Sequence, residues 1–157
     1  YEYLNDFAPN DNHKVKALSW YSEGVEAIFV AAGGAGSSVM AAAEEADKKV
    51  IGVDVDQSNL SDSVITSAMK GLTSSVELAL TDLYAGNFKG GVIDTLDVTV
   101  GGVGLPADFS RFSTFTQADY DAIFAKLVSG EVVVVKDAAS VNDLAVTKTT
   151  VTLIGAE

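Results

Sequence analysis

Asp54 stands at the carboxyl end of the run Val50–Asp54, with Asp56 two residues further on. A carboxylate at the end of a strand can accept two hydrogen bonds from the vicinal hydroxyls of a ribose, and it can equally serve as a solvated loop acid or cap. Earlier in the chain, Gly33, Gly34 and Gly36 lie between an apolar run and a helical pattern. Glycines there let a ligand approach the N–H groups of a helix N-terminus. A tight strand-to-helix turn asks for glycine without any ligand. Lys70 follows another apolar run and could donate to a ligand oxygen or ring nitrogen, although a solvated surface lysine has the same appearance.

These residues need elements to place them, and the stretch Glu26–Gln57 supplies the first. Ala27–Ala31 is a short apolar run stopped by Gly33-Gly34. A helix is expected after Gly36, with Ser37 or Ser38 as its N-cap and Val39, Ala43 and Ala46 on one face. Lys48-Lys49 suits the negative end of that helix, and Val50–Asp54 reads as a second strand. Two apolar strands joined through a helix should lie parallel and be buried on both faces. Their carboxyl ends then open on one edge of the sheet, the edge where open α/β sheets bind ligands.

Around this unit the chain alternates in kind. Tyr1–Leu4 reads as a strand. Asp11 or Asn12 is expected to cap a helix with Val15, Leu18, Tyr21 and Val25 on one face, Trp20 packing and His13 exposed. Val64–Met69 is a strand candidate, and Leu72, Val76, Leu80 and Leu83 mark an amphipathic helix ending near Gly86. Val92–Val100 alternates imperfectly before Gly101–Gly104. A Phe-rich loop then leads to a helix capped by Thr116 with Asp119 in capping-box position; Tyr120, Ile123, Phe124 and Leu127 form its apolar face. Glu131–Lys136 and Thr147–Ile154 read as β. Strands alternating with helices at this spacing predict one α/β lobe over residues 1–157, three-layered and Rossmann-like, with a mostly parallel sheet.

Composition removes several functions. The 157 residues carry a net charge of −12, so a nucleic-acid partner is not expected. No cysteine is present and His13 is the sole histidine, which removes thiolate metal sites, multi-histidine sites and a His-based triad without deciding the redox compartment. No run approaches bilayer-spanning length. No signal peptide is visible, and Tyr1 reads as the middle of a longer protein. Gly34-Ala35-Gly36 with Asp54 about twenty residues on forms most of a dinucleotide-binding fingerprint, but Val39 occupies the place of its third glycine. Asp54-x-Asp56-x-Ser58 begins like a calcium loop, yet Asn59 and Ile65 stand where Gly and Glu are needed. Neither a G-x-S-x-G elbow nor a G-K-[ST] phosphate loop occurs.

Several ordered motifs carry a resemblance: Ala32-Gly33-Gly34-Ala35-Gly36, Gly52-Val53-Asp54-Val55-Asp56-Gln57, Ile65–Gly71, Phe88–Gly91 and Gly101–Leu105. Together they resemble the second lobe of the basic membrane protein family, the PnrA-like nucleoside-binding lipoproteins of type I periplasmic-binding-protein fold. Members are typically about twice as long. Here Gly36-Ser37-Ser38 replaces a more Gly-rich turn, and the segment after Lys136 has no counterpart.

The resemblance implies a non-catalytic nucleoside-binding component of an ABC-type uptake system, without cofactor or metal, displayed as a membrane-anchored lipoprotein outside the cytoplasmic membrane. It implies Asp54 rather than Asp56 as the ribose-binding carboxylate, Lys70 as a donor, the Gly33, Gly34 and Gly36 turn at the ligand, and Phe7 as an aromatic that stacks on the base or packs in a core. Partners would be a nucleoside, an ABC permease and an N-terminal lobe lying outside this chain, with crossings between lobes near residues 70–72 and 101–104. Without that lobe, the Leu72–Leu83 stripe is expected to be covered by a second copy, as a homodimer, or by folding back on the sheet. Two other readings are a Rossmann-type NAD(P)-binding domain of an oxidoreductase and a ligand-free structural or regulatory domain of the same fold.

Overall fold

The computed structural model describes residues 3–135. Lys136 and the expected strand Thr147–Ile154 lie outside them, as do Tyr1 and Glu2; Tyr3 and Leu4 belong to no strand. The chain runs α1 (Asp11–Ser22), β1 (Ala27–Phe29), a 3-10 turn (Gly33–Ala35), α2 (Gly36–Ala46), β2 (Lys49–Asp54), β3 (Val64–Lys70), α3 (Leu72–Tyr84), a second 3-10 turn (Val98–Val100), β4 (Val103–Gly104) and α4 (Gln117–Val128). The sheet order is β1-β2-β3-β4. β1, β2 and β3 are mutually parallel, and β4 runs antiparallel to β3. A mixed α/β fold with a mostly parallel sheet is therefore what the alternation produces.

The core forms where α1 and α2 cover the sheet. Ala17 and Tyr21 of α1 and Val39, Met40, Ala42 and Ala43 of α2 pack with Ile28, Val30, Val50 and Val64. Small alanines let α2 lie close, and the two central valines are fully buried. The Tyr21 hydroxyl donates to the Lys49 carbonyl at 3.0 Å. Burial pushes that phenol's pKa up to about 12. Burial on both faces does not extend to β1, where only Ile28 is buried and Phe29 is 56% exposed.

Several local expectations are corrected. α1 is capped by Asn10, whose side chain accepts from the His13 N–H, because a β-region residue just ahead of Asp11 can reach that donor. Its buried face is His13, Ala17 and Tyr21 rather than the stripe through Val15 and Val25, and Val15 is exposed. α2 has no side-chain cap: the 3-10 turn leads straight into it, and the Ser37 hydroxyl donates back to the Gly34 carbonyl at 2.9 Å. Val92–Val100 forms no strand, since the Asp97 carboxylate accepts from the Thr99 N–H and hydroxyl at 2.9 and 2.6 Å and curls the segment into its 3-10 turn. Residues 131–135 are likewise outside any strand.

The α4 capping box forms as expected between Thr116 and Asp119. Along its apolar face Tyr120, Phe124 and Leu127 are half-buried and Ile123 is exposed. Phe109 packs against Phe112, Phe115 and Tyr120 at ring separations of 5.5–6.0 Å, stacked on the first and tilted to the other two. Arg111 fastens this aromatic loop to the sheet, donating to the Ser61 and Val64 carbonyls at 2.9 and 2.7 Å.

α3 buries none of its residues, and Leu72, Val76, Leu80 and Leu83 are all exposed. The stripe does not fold back on the sheet. Where α3 begins, Gly71 N–H bonds the Gly102 carbonyl at 2.8 Å, so residues 70–71 and 102–104 lie side by side.

Candidate ligand-binding site

Because β1, β2 and β3 are parallel, their carboxyl ends share one edge of the sheet. The Gly33–Gly36 turn follows β1 there, Asp54 ends β2 and Lys70 ends β3. Asp54 sits opposite Met69 in the register, one residue from Lys70. The Lys70 ammonium lies 2.6 Å from the Asp54 carboxylate, with the side chains 65% and 45% exposed. An ion pair so open to water contributes little to stability. Its chemical value is that an acceptor and a donor stand together at an accessible edge.

Asp54 also has an unusual backbone. Its φ is +70°, and the Val55 N–H donates to the Val53 carbonyl at 2.8 Å across it. A three-residue turn with positive φ at a non-glycine residue is uncommon and costs roughly 1–3 kcal/mol. Asp56 is engaged differently, its carboxylate accepting the Ser58 N–H at 3.0 Å in an exposed Asx turn. The two aspartates that spacing alone could not separate are thus distinct in geometry.

Phe7 is 74% exposed and does not belong to the core. It lies against the glycine turn. A Cβ on Gly33, whose φ is +51°, would come within 3.4 Å of the Phe7 ring, and one on Gly34 would sit 2.9 Å from the Phe7 carbonyl. Gly36 is buried, with Val30 beneath it. The loop carrying Phe7 is tied down on both sides. The Asp6 carboxylate accepts the Ala8 N–H at 2.9 Å and contacts His13 Nε2 at 3.1 Å, and the Asn10 N–H donates to the Ser38 hydroxyl at 3.0 Å. The His13 hydrogen bond is the main reason the Asp6 carboxyl lies below its usual pKa. His13, expected in solvent, is buried. Its partner lies in an irregular loop, a pairing to which helical periodicity is blind.

Gln57 and Ser67, quoted above only as motif residues, meet at this edge. Gln57 Oε1 accepts the Val53 N–H at 3.0 Å, and the Gln57 N–H donates to the Ser67 hydroxyl at 3.1 Å. An open groove of about 380 Å³ lies elsewhere, lined by Glu44, Ser58–Asp62 and Arg111, and none of the candidate residues borders it.

Residues 1–138 match the family model described as ABC transporter substrate-binding protein PnrA-like, Bmp. This chain belongs to that family. Among curated relatives, the CD4+ T-cell-stimulating antigen of Listeria monocytogenes is 34% identical over 148 residues, covering 83% of this chain and 42% of its own length. Basic membrane protein A of Borreliella afzelii is 29% identical over 137 residues, covering 85% of this chain and 42% of its own. The chain therefore spans less than half the length of these relatives. A solved structure of ABC transporter system solute-binding proteins from Aeropyrum pernix K1 superposes with a TM-score of 0.64 at 20% identity, covering 87% of this chain and 47% of that one. That likeness establishes the fold, a type I periplasmic-binding-protein-like arrangement. The motifs through Gly33–Gly36 and Gly52–Gln57 thus resemble the family to which the chain belongs.

Proposed function

We propose that this chain is the ligand-binding second lobe of a non-catalytic, purine-nucleoside-binding component of an ABC uptake system. The observation that carries the reading is the Asp54–Lys70 pair on the same sheet edge as the Gly33–Gly36 turn and the exposed Phe7. Asp54 accepts hydrogen bonds from the ribose hydroxyls, Lys70 donates to the ligand, and Phe7 stacks on the base. An N-terminal lobe outside this chain closes over the ligand, and a permease receives it. The whole protein is held outside the cytoplasmic membrane by a lipid anchor.

The chain crosses between lobes at residues 70–72 and 101–104, which lie side by side. On this reading α3 packs against the absent lobe. Each exposed apolar side chain of its stripe would contribute roughly 1.5–3 kcal/mol if fully buried. The chain alone is expected to cover the stripe by self-association, which light scattering would register as a dimer or larger. The double change Leu80→Glu with Leu83→Glu yields a monomer. A monomeric parent chain removes this part of the reading.

Thermal unfolding of the full-length protein tests the ligand. Adenosine or guanosine at a hundredfold above its dissociation constant adds about 2.7 kcal/mol and raises Tm. A rise with NAD(H) instead would identify a dinucleotide-binding domain. No rise with either would leave a ligand-free domain of the same fold.

A further inference from the structure

The turn that presents Asp54 is held by a half-buried latch. The β1–β2 ladder has a bond from the Val30 N–H to the Ile51 carbonyl at 3.1 Å. In a parallel pair the next rung would employ the Val53 N–H. Gln57 takes that donor instead, through Oε1 at 3.0 Å, and its own N–H is anchored on the Ser67 hydroxyl at 3.1 Å. Ser67 is fully buried on β3. Space for the Gln57 amide exists because residue 52 is glycine: a Cβ there would lie 2.5 Å from Gln57 Oε1 and 2.6 Å from Ser67 Oγ. Both backbone groups of Val53 are thereby engaged, the N–H by Gln57 and the carbonyl by the Val55 N–H. Asp54, between them, is kept at φ +70°.

We infer that Gln57 is a positioning residue: with Gly52 and Ser67 it holds Asp54 in its strained turn and so aims the carboxylate at Lys70 and at the ligand's hydroxyl pair. The ligand part of this inference rests on the nucleoside reading above. Strain of this kind persists only where surrounding structure over-determines it, and here Gln57 makes two of the holding contacts, one through its side chain and one through its backbone N–H. Released from the latch, residue 54 relaxes to extended backbone, and the carboxylate swings away from the ammonium.

The test uses the full-length protein with adenosine and 2′,3′-dideoxyadenosine as probes. Gln57→Met keeps the side chain's bulk and deletes the acceptor, whereas Gln57→Glu keeps an acceptor oxygen. Gln57→Met should weaken adenosine binding roughly tenfold, the scale of one net hydrogen bond, and leave the dideoxy analogue unchanged. Gln57→Glu should restore most of the adenosine affinity. Equal losses for both nucleosides would mean that Gln57 merely supports the fold, and the inference would fail.

The outcome is separable from the nucleoside reading. If the parent protein binds neither probe, that reading fails, and the NMR resonances of the Asp54 amide and carboxyl carbon decide the positioning claim. Gln57→Met must move both and Gln57→Glu must return them; unmoved resonances overturn it. Should Gln57→Met not fold, Ser67→Ala loosens the same segment from its other tie and is read by the same two measurements.

Discussion

On the proposed function, Asp54→Ala in the full-length protein is expected to weaken nucleoside binding by about 2–4 kcal/mol, roughly 30- to 1,000-fold, because a carboxylate accepting two hydroxyls would be lost. Asp56→Ala changes affinity by less than about threefold, since that carboxylate is occupied with the Ser58 N–H in an exposed turn. Calorimetry on both variants separates them. The contrast also has a stability side. Asp54 holds a positive φ that glycine adopts freely, so Asp54→Gly loses the ligand while raising Tm relative to Asp54→Ala. Equal and small affinity losses for the two alanine variants would remove Asp54 from the site.

The second large effect falls on the fold. Gly71→Ala and Gly102→Ala each destabilise the protein by roughly 1–3 kcal/mol, toward the upper end because the obstructing atoms belong to backbone. A Cβ on Gly71 would run into the Gly101 carbonyl, and one on Gly102 into the Leu96 carbonyl. Neither neighbour can turn aside as a side chain could. The Gly71–Gly102 hydrogen bond and the short β3–β4 pairing would have to open. Gly90→Ala, where an added Cβ meets nothing within 4 Å, stays within about 0.5 kcal/mol of the parent. Denaturant titration of the three variants is the check, and a Gly71→Ala chain as stable as Gly90→Ala would refute the close approach of residues 71 and 101–102.

Much of the fold is legible in the residues, and the exceptions share a cause. The unit from Glu26 to Gln57 can be read because its strands are apolar runs with glycine stops and its helix is an alanine-rich face, all local signals. The capping box at Thr116 is legible for the same reason. His13 escapes such a reading because hydropathy ranks valine above histidine, so the stripe through Val15 outweighs one that contains a ring bonded to Asp6. Val92–Val100 is ambiguous because β-branched content competes there with an aspartate that bonds its own backbone.

At the site, Asp54, Lys70 and the glycines are visible as residue types at strand ends, and the register brings Asp54 to Lys70. Gln57 and Ser67 are invisible as a pair. Each lies inside one of the motifs quoted above, but the two residues are ten apart and nothing local announces that a residue beyond β2 meets a serine on β3.

If a nucleoside is held at the Asp54 edge between this lobe and a second one, both lobes are needed to bind it. Titration calorimetry of adenosine and guanosine into the full-length protein and into this chain alone, side by side at micromolar concentration, tests this most directly. Such a ligand has about 70–90% of its surface covered when bound, and a single open lobe cannot supply that cover. Saturable heat is expected from the full-length protein and little from the isolated chain. No heat from the full-length protein, or binding by the chain alone as tight as by the whole, would contradict that expectation.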